Sequence, residues 1–531
     1  MSTTTLPFID WLSSQLKRAG MLYAFGVPGG GSSLDLMQAL YKQKIKPVVT
    51  SREDAAVIMA GVSGTLCSGP GMAFTTKGPG LTNAINGIAS AALDRLPVLI
   101  VSETFDEKEL AYLSHQVLEQ SKLVSPLLLQ GQGRELEPTQ NSIMSWLDQP
   151  VQAPAIMFPS LSELKTPVPI KDHSNSRHEI GSADLLKAEM LIKKAQSPVV
   201  VVGLETVRSD CVSELREFVH TLGAPVLCTY MSKGIIADKD VHFAGLFTGG
   251  AIEQLCMDAA DLIILIGLDP VELIRKPWAY TVPVLDLCEQ VYNPHYLTPE
   301  ERIVAPLSKT LRGLTQSVSS SSWDKKNIAN FKAHFFSEME KENVSGLSST
   351  PVVQAIRDSF SKLPRLAVDA GAHMFSACAF WPATSPNDLL ISNGLASMGF
   401  AVPAAIAAAL HDPKRGAVAI TGDGGFLMCL GELKTAAEIA ANILIVIFND
   451  GRLSLIDIKR TSRQMPDLGL SWAPPNFGDV AAGFGFKSWV VKESAELTHA
   501  LNEAANESGP RLVDIRIDPS GYDKQLSVLR G

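Results

Sequence analysis

Asp423, set among Gly422, Gly424 and Gly425, and Asn449, followed by Asp450 and Gly451, are the residues of this 531-residue chain best suited to hold a metal ion. An apolar run from Gly416 to Thr421 predicts a buried strand ending at the carboxylate, and Ile443 to Phe448 predicts a second ending at the amide. Between them, Leu427 to Ala441 has helix formers with apolar residues at helical spacing. Two parallel strand ends then bring Asp423 and Asn449 side by side. A carboxylate, an amide oxygen and the Gly451 carbonyl make a hard oxygen set suited to Mg²⁺, which in turn would hold a diphosphate. The glycines let such a ligand approach the backbone at a helix start, where N–H groups favour anions. Taken alone, both glycine-flanked motifs also fit ordinary turns.

A second group lies far upstream. Glu53 follows a strand-like run ending at Val49 and stands at the start of a small-residue helix, Ala55 to Gly64. Its bland alternative is a surface carboxylate stabilised by the helix dipole. Gly29-Gly30-Gly31-Ser32, after the run Tyr23 to Val27, resembles a phosphate loop, but the Gly-x-Gly-x-x-Gly spacing is not satisfied.

These residues need rigid strand ends, and the chain supplies three α/β blocks. Residues 1–165 alternate strand-like runs (Tyr23 to Val27, Lys46 to Val49, Met72 to Thr75, Val98 to Val101, Ala155 to Phe158) with helical patterns; Phe8 to Arg18 is one such helix. A polar, aperiodic stretch from Leu161 to Ser182 reads as a linker. Residues 183–330 carry the helix Ala183 to Lys194 and strands at Val199 to Gly203, Pro225 to Leu227 and Asp261 to Gly267. After a helix Lys325 to Glu342 and a loop Asn343 to Thr350, residues 351–531 carry strands at Leu366 to Asp369, Gly416 to Thr421, Ile443 to Phe448 and Arg511 to Ile515. The expected architecture is three doubly wound parallel-sheet domains.

The net charge of −9 without a basic stripe excludes nucleic acid as the main partner. Seven scattered cysteines, none in a Cys-x-x-Cys pair, signal neither a zinc site nor a disulfide framework. No secretory core or membrane-spanning run is present, so a soluble cytoplasmic protein is expected.

The Gly-Asp-Gly motif with its downstream Asn resembles the thiamine diphosphate motif, and the whole chain is similar to enzymes of the acetolactate synthase and benzoylformate decarboxylase family. Phe25 to Gly30, Thr76 to Asn83, Asp369 to His373 and Leu395 to Ala405 look like further signatures. The resemblance implies a pyrimidine-binding, a central and a diphosphate-binding domain in that order, with thiamine diphosphate and Mg²⁺ as cofactors. It implies active sites between two subunits, in a homodimer or homotetramer, with Glu53 from one chain and Asp423, Asn449 and Gly451 from the other. Glu53 would bond the aminopyrimidine ring and favour its imino form, and Met398 would prop the cofactor into a bent shape. Gly30, Thr76, Asn83, Gly422, Gly424 and Gly425 join the cofactor-binding set. Flavin is not expected, because no Rossmann glycine fingerprint follows Val199 to Gly203.

Substrate is less constrained. Decarboxylases of the benzoylformate type carry a serine and a histidine where this chain has Gly30 and Thr76, so the expected proton donors are missing. The Phe-Gln pair of acetolactate synthases corresponds to His115-Gln116 here, while Ser51-Arg52-Glu53-Asp54 departs from their Arg-His-Glu-Gln. His115 and His373 are candidate proton carriers, with a structural role as the alternative. Glu103 occupies a position where the family has glutamine, and its charge is expected to repel a substrate carboxylate. The expected activity is a thiamine diphosphate- and Mg²⁺-dependent carbon–carbon lyase or carboligase acting on a 2-oxo acid or 2-hydroxy ketone through an enamine. The alternatives are an acetolactate synthase proper, a benzoylformate-type decarboxylase, or a non-catalytic homologue retaining the fold.

Overall fold

Runs of Val, Ile, Leu and Ala with almost no polar interruption can form strands only where both sheet faces are covered, and that is their environment here. The computed structural model describes residues 5–67, 69–130, 132–149, 153–170, 185–272, 277–292, 296–341, 344 and 346–531. It contains three six-stranded sheets in which every paired strand is parallel.

The first sheet runs Lys46–Val49, Tyr23–Val27, Gly71–Thr75, Val98–Ser102, Ala155–Met157, Arg134–Leu136. The second runs Phe243–Leu246, Val226–Cys228, Pro198–Val202, Leu262–Ile266, Val284–Cys288, Glu301–Val304. The third runs Leu389–Ile391, Arg365–Val368, Ala417–Gly422, Ile443–Asn449, Arg511–Arg516, Lys487–Val491. In each, the order reverses inside the sheet, and ligands of such sheets bind at strand C-termini beside that reversal. Strands Ala417–Gly422 and Ile443–Asn449 are neighbours at the centre of the third sheet.

The domains share cores. Helix Glu53–Leu66 of the first domain packs on helix Ala401–His411 of the third. Ala56, Ala60, Ala404 and Ala408 are all buried in that one cluster, and side chains this small let the two helices approach closely. A helix apolar all round, as Glu53–Leu66 nearly is, must be buried. Arg95 joins the first domain to the second through a bidentate pair with Asp269, at 2.8 and 3.1 Å.

Four expectations change. The stretch from Leu161 begins not as a linker but with a capped helix, Leu161–Lys165, and a strand, Pro167–Pro169, that pairs antiparallel with Thr5–Pro7. Its proline content suits an edge ribbon but hid the strand; residues 171–184, and with them the expected helix start at Ala183, lie outside the described residues. The single helix expected over Leu427 to Ala441 is two, Asp423–Cys429 and Glu432–Glu438. They part at Gly431, whose carbonyl accepts the Ser51 hydroxyl at 2.6 Å and where a Cβ would stand 3.1 Å from Ser51. The loop expected to run to Thr350 gives way at Ser349 to the helix Ser349–Asp358. Short edge strands at Arg134, Phe243, Glu301, Leu389 and Lys487, and the inner strand Val284–Cys288 with its central Asp286, have no clear strand signature in the sequence, being brief or only partly apolar. Among the described residues, no helix is long and apolar enough to cross a membrane.

Candidate active site

Asp423 is the first residue of its helix and Asn449 the last of its strand. Because Gly422 pairs with Phe448 in the parallel register, the two polar side chains emerge one step beyond the last paired positions, next to each other. Asn449 donates both amide hydrogens inward, to Asp514 Oδ1 at 2.8 Å and to the Pro475 carbonyl at 3.2 Å. Its Oδ1 is thereby turned to the site, buried and without a partner, as is Asp423 Oδ2. Orphaned buried oxygens are costly. Burial, then the neighbouring Asp450, push the Asp423 carboxyl up to about 7, and burial pushes Asp450 up to about 6. The Gly451 carbonyl accepts one bond, from Trp472 N–H at 2.7 Å, and keeps a second lone pair. The Asp423 carboxylate with its free Oδ2, the free Asn449 Oδ1 and the Gly451 carbonyl with spare capacity fit a hard divalent cation such as Mg²⁺.

Met398 reaches this site from a loop: a Cβ built on Gly424 would meet its Cε at 3.2 Å. The loop is pinned at both ends by buried carboxylates. Asp369 accepts from Gly399 N–H and Phe400 N–H, each at 3.0 Å, and from Thr421 Oγ1 at 2.8 Å. Asp94, in the first domain, accepts from Asn393 N–H at 3.0 Å, Gly394 N–H at 2.7 Å and Ser392 Oγ at 2.6 Å. Between the anchors Ala396 and Gly399 take left-handed backbone, φ +54° and +86°, which holds Met398 on a tight turn. An Asp94→Asn substitution should set an NH₂ against these N–H donors and cost about 1–3 kcal/mol per donor left unsatisfied. Urea denaturation should show a lowered midpoint, and calorimetry weaker cofactor binding; an unchanged cofactor affinity would show that Asp94 does not position Met398.

Glu53 opens its helix buried, 6% exposed, with Asn83 hydrogen-bonded to it and burial raising its carboxyl. The residues before it are held by the third domain: Ser51 N–H and Arg52 N–H donate to Glu432 Oε1 at 3.1 and 3.0 Å. A buried carboxyl held above its ordinary range, on a segment tethered to the third domain, is not a solvated helix-start residue.

The first-domain loops converge on Glu103. Its Oε1 accepts from Ser33 N–H at 2.5 Å and from the Ser33 hydroxyl; Oε2 accepts from Thr76 Oγ1 at 3.3 Å and lies 3.8 Å from Lys77 Nζ. The Glu103 carboxylate, expected to repel a substrate carboxylate, is thus surrounded by donors and lies beside an ammonium. Gly29 is required here, since a Cβ would meet Thr76 Oγ1 at 2.2 Å, whereas Gly30 faces open space. Gln120 fastens the group, accepting from Gly78 N–H at 3.2 Å and donating to the Glu103 carbonyl at 2.9 Å.

The two candidate histidines part company. His373 is buried beside Gly422, where a Cβ would meet it at 3.4 Å, and its ring lies 5.8 Å from that of Phe448. Burial lowers it to about 4, so it is neutral, and Nε2 is buried without a partner. His115 and Gln116 stand on an exposed turn of the first domain. Gln116 adopts φ +61° with its backbone against Gly78, at 2.9 Å from a Cβ there.

Asp94, Glu432, Asp514 and Gln120 were not read from the sequence as site residues. Each acts on a partner distant in the chain, and a lone Asp, Glu or Gln carries no local signal of that.

Three family models match. Their descriptions are thiamine pyrophosphate enzyme, N-terminal TPP binding domain, over residues 8–123; central domain, over 185–312; and C-terminal TPP binding domain, over 369–515. The chain is 24% identical to an acetolactate synthase of Bacillus subtilis, covering 95% of this chain and 92% of that protein. It is 26% identical to the catabolic acetolactate synthase of Raoultella terrigena, covering 96% and 94%. A putative thiamine pyrophosphate-containing protein, YdaP, of Bacillus subtilis is 24% identical, covering 95% and 91%.

Proposed function

We propose that this chain, which belongs to the thiamine diphosphate-dependent enzymes of the acetolactate synthase family, is a Mg²⁺-dependent carboligase that joins a two-carbon or larger unit from a 2-oxo acid to a second carbonyl compound. Bound thiamine diphosphate supplies the electron sink for breaking and making a carbon–carbon bond beside a carbonyl. Asp423, Asn449 Oδ1 and the Gly451 carbonyl are the residues that would hold Mg²⁺, and through it the diphosphate. Gly422 and Gly424 lie beside them without side chains, and at Gly425 a Cβ would stand 2.3 Å from Asp369 Oδ2. Glu53, raised by burial and oriented by Asn83, would hold or release a proton at the aminopyrimidine ring. Met398, on its doubly anchored loop, would fix the cofactor's shape.

The observation that carries ligation over simple decarboxylation is the proton inventory. Gly30 and Thr76 offer no titratable donor, Glu103 is committed to Ser33, Thr76 and Lys77, and His373 at about 4 is a poor acid at neutral pH. A reacting carbon that is protonated slowly has time to meet an acceptor. Gln116, against Gly78, is assigned to orienting substrate.

A partner copy is part of the reading. Leu427 and Met428, directly after the metal-site glycines, are 47% and 58% exposed, and Tyr112 and Leu118, flanking His115-Gln116, are 75% and 48% exposed. Apolar side chains gathered around a site favour burial in an interface, so a homodimer is the minimal active unit.

Incubation with pyruvate and other 2-oxo acids, alone and with aldehyde acceptors, should give more ligated product than free aldehyde. Mostly acetaldehyde from pyruvate would replace this reading by decarboxylation. No turnover with any donor would leave the enzyme without the substrate class proposed.

A further inference from the structure

Among the described residues, one cluster of metal-ligating side chains lies outside the site above: His220, Asp240 and His242 in the central domain. His220 sits in the last turn of helix Val212–Leu222, which Gly223 closes with φ +66°. Asp240 and His242 immediately precede the edge strand Phe243–Leu246. One ligand atom from each residue lies within 4.8 Å of the others. His220 Nε2 stands 3.2 Å from Asp240 Oδ2, close to the ~3.4 Å that separates two ligands on a tetrahedral zinc with bonds near 2.0–2.1 Å.

Two further observations separate this cluster from an ordinary His–Asp pair. His242 is 94% buried and its Nδ1 has no hydrogen-bond partner, although a buried ring nitrogen normally has one. Asp240 is held in register, its Oδ1 accepting from the His242 backbone N–H at 2.9 Å, so the carboxylate and the second imidazole are positioned as a unit. The two imidazole rings meet at 77° with centroids 5.1 Å apart. Burial keeps His242 below the ordinary histidine range, hence neutral, the form in which imidazole binds metals. His220, with half of its side chain exposed, is free to close the remaining gap and leaves one side open to solvent. Lys325 is the nearby opposing charge and limits affinity.

We propose that His220, Asp240 and His242 form a binding site for a divalent transition metal of the zinc class, distinct from the Mg²⁺ site and clipping the end of helix Val212–Leu222 to the start of strand Phe243–Leu246. Two imidazoles and one carboxylate favour Zn²⁺ or Co²⁺ over Mg²⁺, which takes oxygen ligands.

The test uses the full chain saturated with thiamine diphosphate and excess Mg²⁺, so that the oxygen site is filled. Calorimetric titration with Zn²⁺ should show one equivalent per chain, and Co²⁺ should give the visible absorption of a low-coordinate nitrogen- and oxygen-ligated ion. His220→Ala and His242→Gln should each abolish both signals without changing turnover, and Zn²⁺ should raise the melting temperature of the parent but not of the variants. Should His242→Gln fail to fold, His220→Ala, at an exposed side chain, decides alone. Absence of saturable Zn²⁺ binding in the parent, or stoichiometric binding that survives His220→Ala, would overturn the proposal.

Discussion

Asp423→Ala is expected to abolish Mg²⁺-dependent binding of thiamine diphosphate, and turnover with it. The substitution removes the one charged ligand of the predicted set and leaves Asn449 Oδ1 and the Gly451 carbonyl, two neutral oxygens, to offset the dehydration of an ion that sheds water reluctantly. The loss should exceed the roughly 10–100-fold seen when only an outer-shell partner of a metal ligand is removed. The fold itself should hold and even gain stability without metal, since the carboxyl is held at about 7 by burial and by Asp450. Its folded pKa lies above the unfolded value, so in the metal-free protein ionisation between about 4 and 7 opposes folding, and alanine removes that penalty. For the same reason Mg²⁺ uptake by the parent below about pH 7 should release protons, measurable by calorimetry in buffers of different ionisation enthalpy. Metal-dependent cofactor binding that survives in Asp423→Ala would mean that the ion sits elsewhere.

Glu53→Gln should separate binding from chemistry. The amide keeps the volume and the bond with Asn83, and the proposed diphosphate and metal ligands lie in the third domain, so binding should persist. Deprotonation of the cofactor's thiazolium carbon should fall by roughly 10²–10⁴-fold, the usual share of a positioned acid–base group, because an amide cannot exchange a proton with the aminopyrimidine. Hydrogen–deuterium exchange at that carbon, followed by NMR after acid quench, measures it. Exchange as fast as in the parent would make Glu53 an interdomain packing residue only.

The readable part of this protein is its strands and what stands at their ends. Ala417–Gly422, buried up to its last residue, and the fully buried Ile443–Asn449 are long apolar runs, so their type and neighbourhood follow from composition, and Asp423 and Asn449 follow from where the runs stop. The short edge strands, such as Leu389–Ile391, are set by pairing with a central neighbour and have no signature of their own. The charge of Glu103 is legible, but its compensation comes from Lys77 and Ser33, residues on two other loops, and has no local signal. Asn449 is legible as a candidate ligand, but which of its amide atoms faces the proposed metal position is decided by Asp514, in the adjacent strand. Local pattern names the functional group; only the fold says how it is turned.

The loop from Ser392 to Phe400 is rich in glycine and serine, the composition of a segment that exchanges its amide hydrogens freely. Because Asp94 and Asp369 hold Asn393, Gly394, Gly399 and Phe400 by their N–H groups, those amides should instead rank among the slowly exchanging ones, protected by side chains and not by a sheet or helix ladder. For Asn393 and Gly394 that protection also depends on the first and third domains staying in contact, since Asp94 belongs to the first, whereas Gly399 and Phe400 are held from within the third. On gentle heating, loss of that contact should release Met398 and the cofactor while all three sheets still give their native circular dichroism, so that inactivation runs ahead of unfolding.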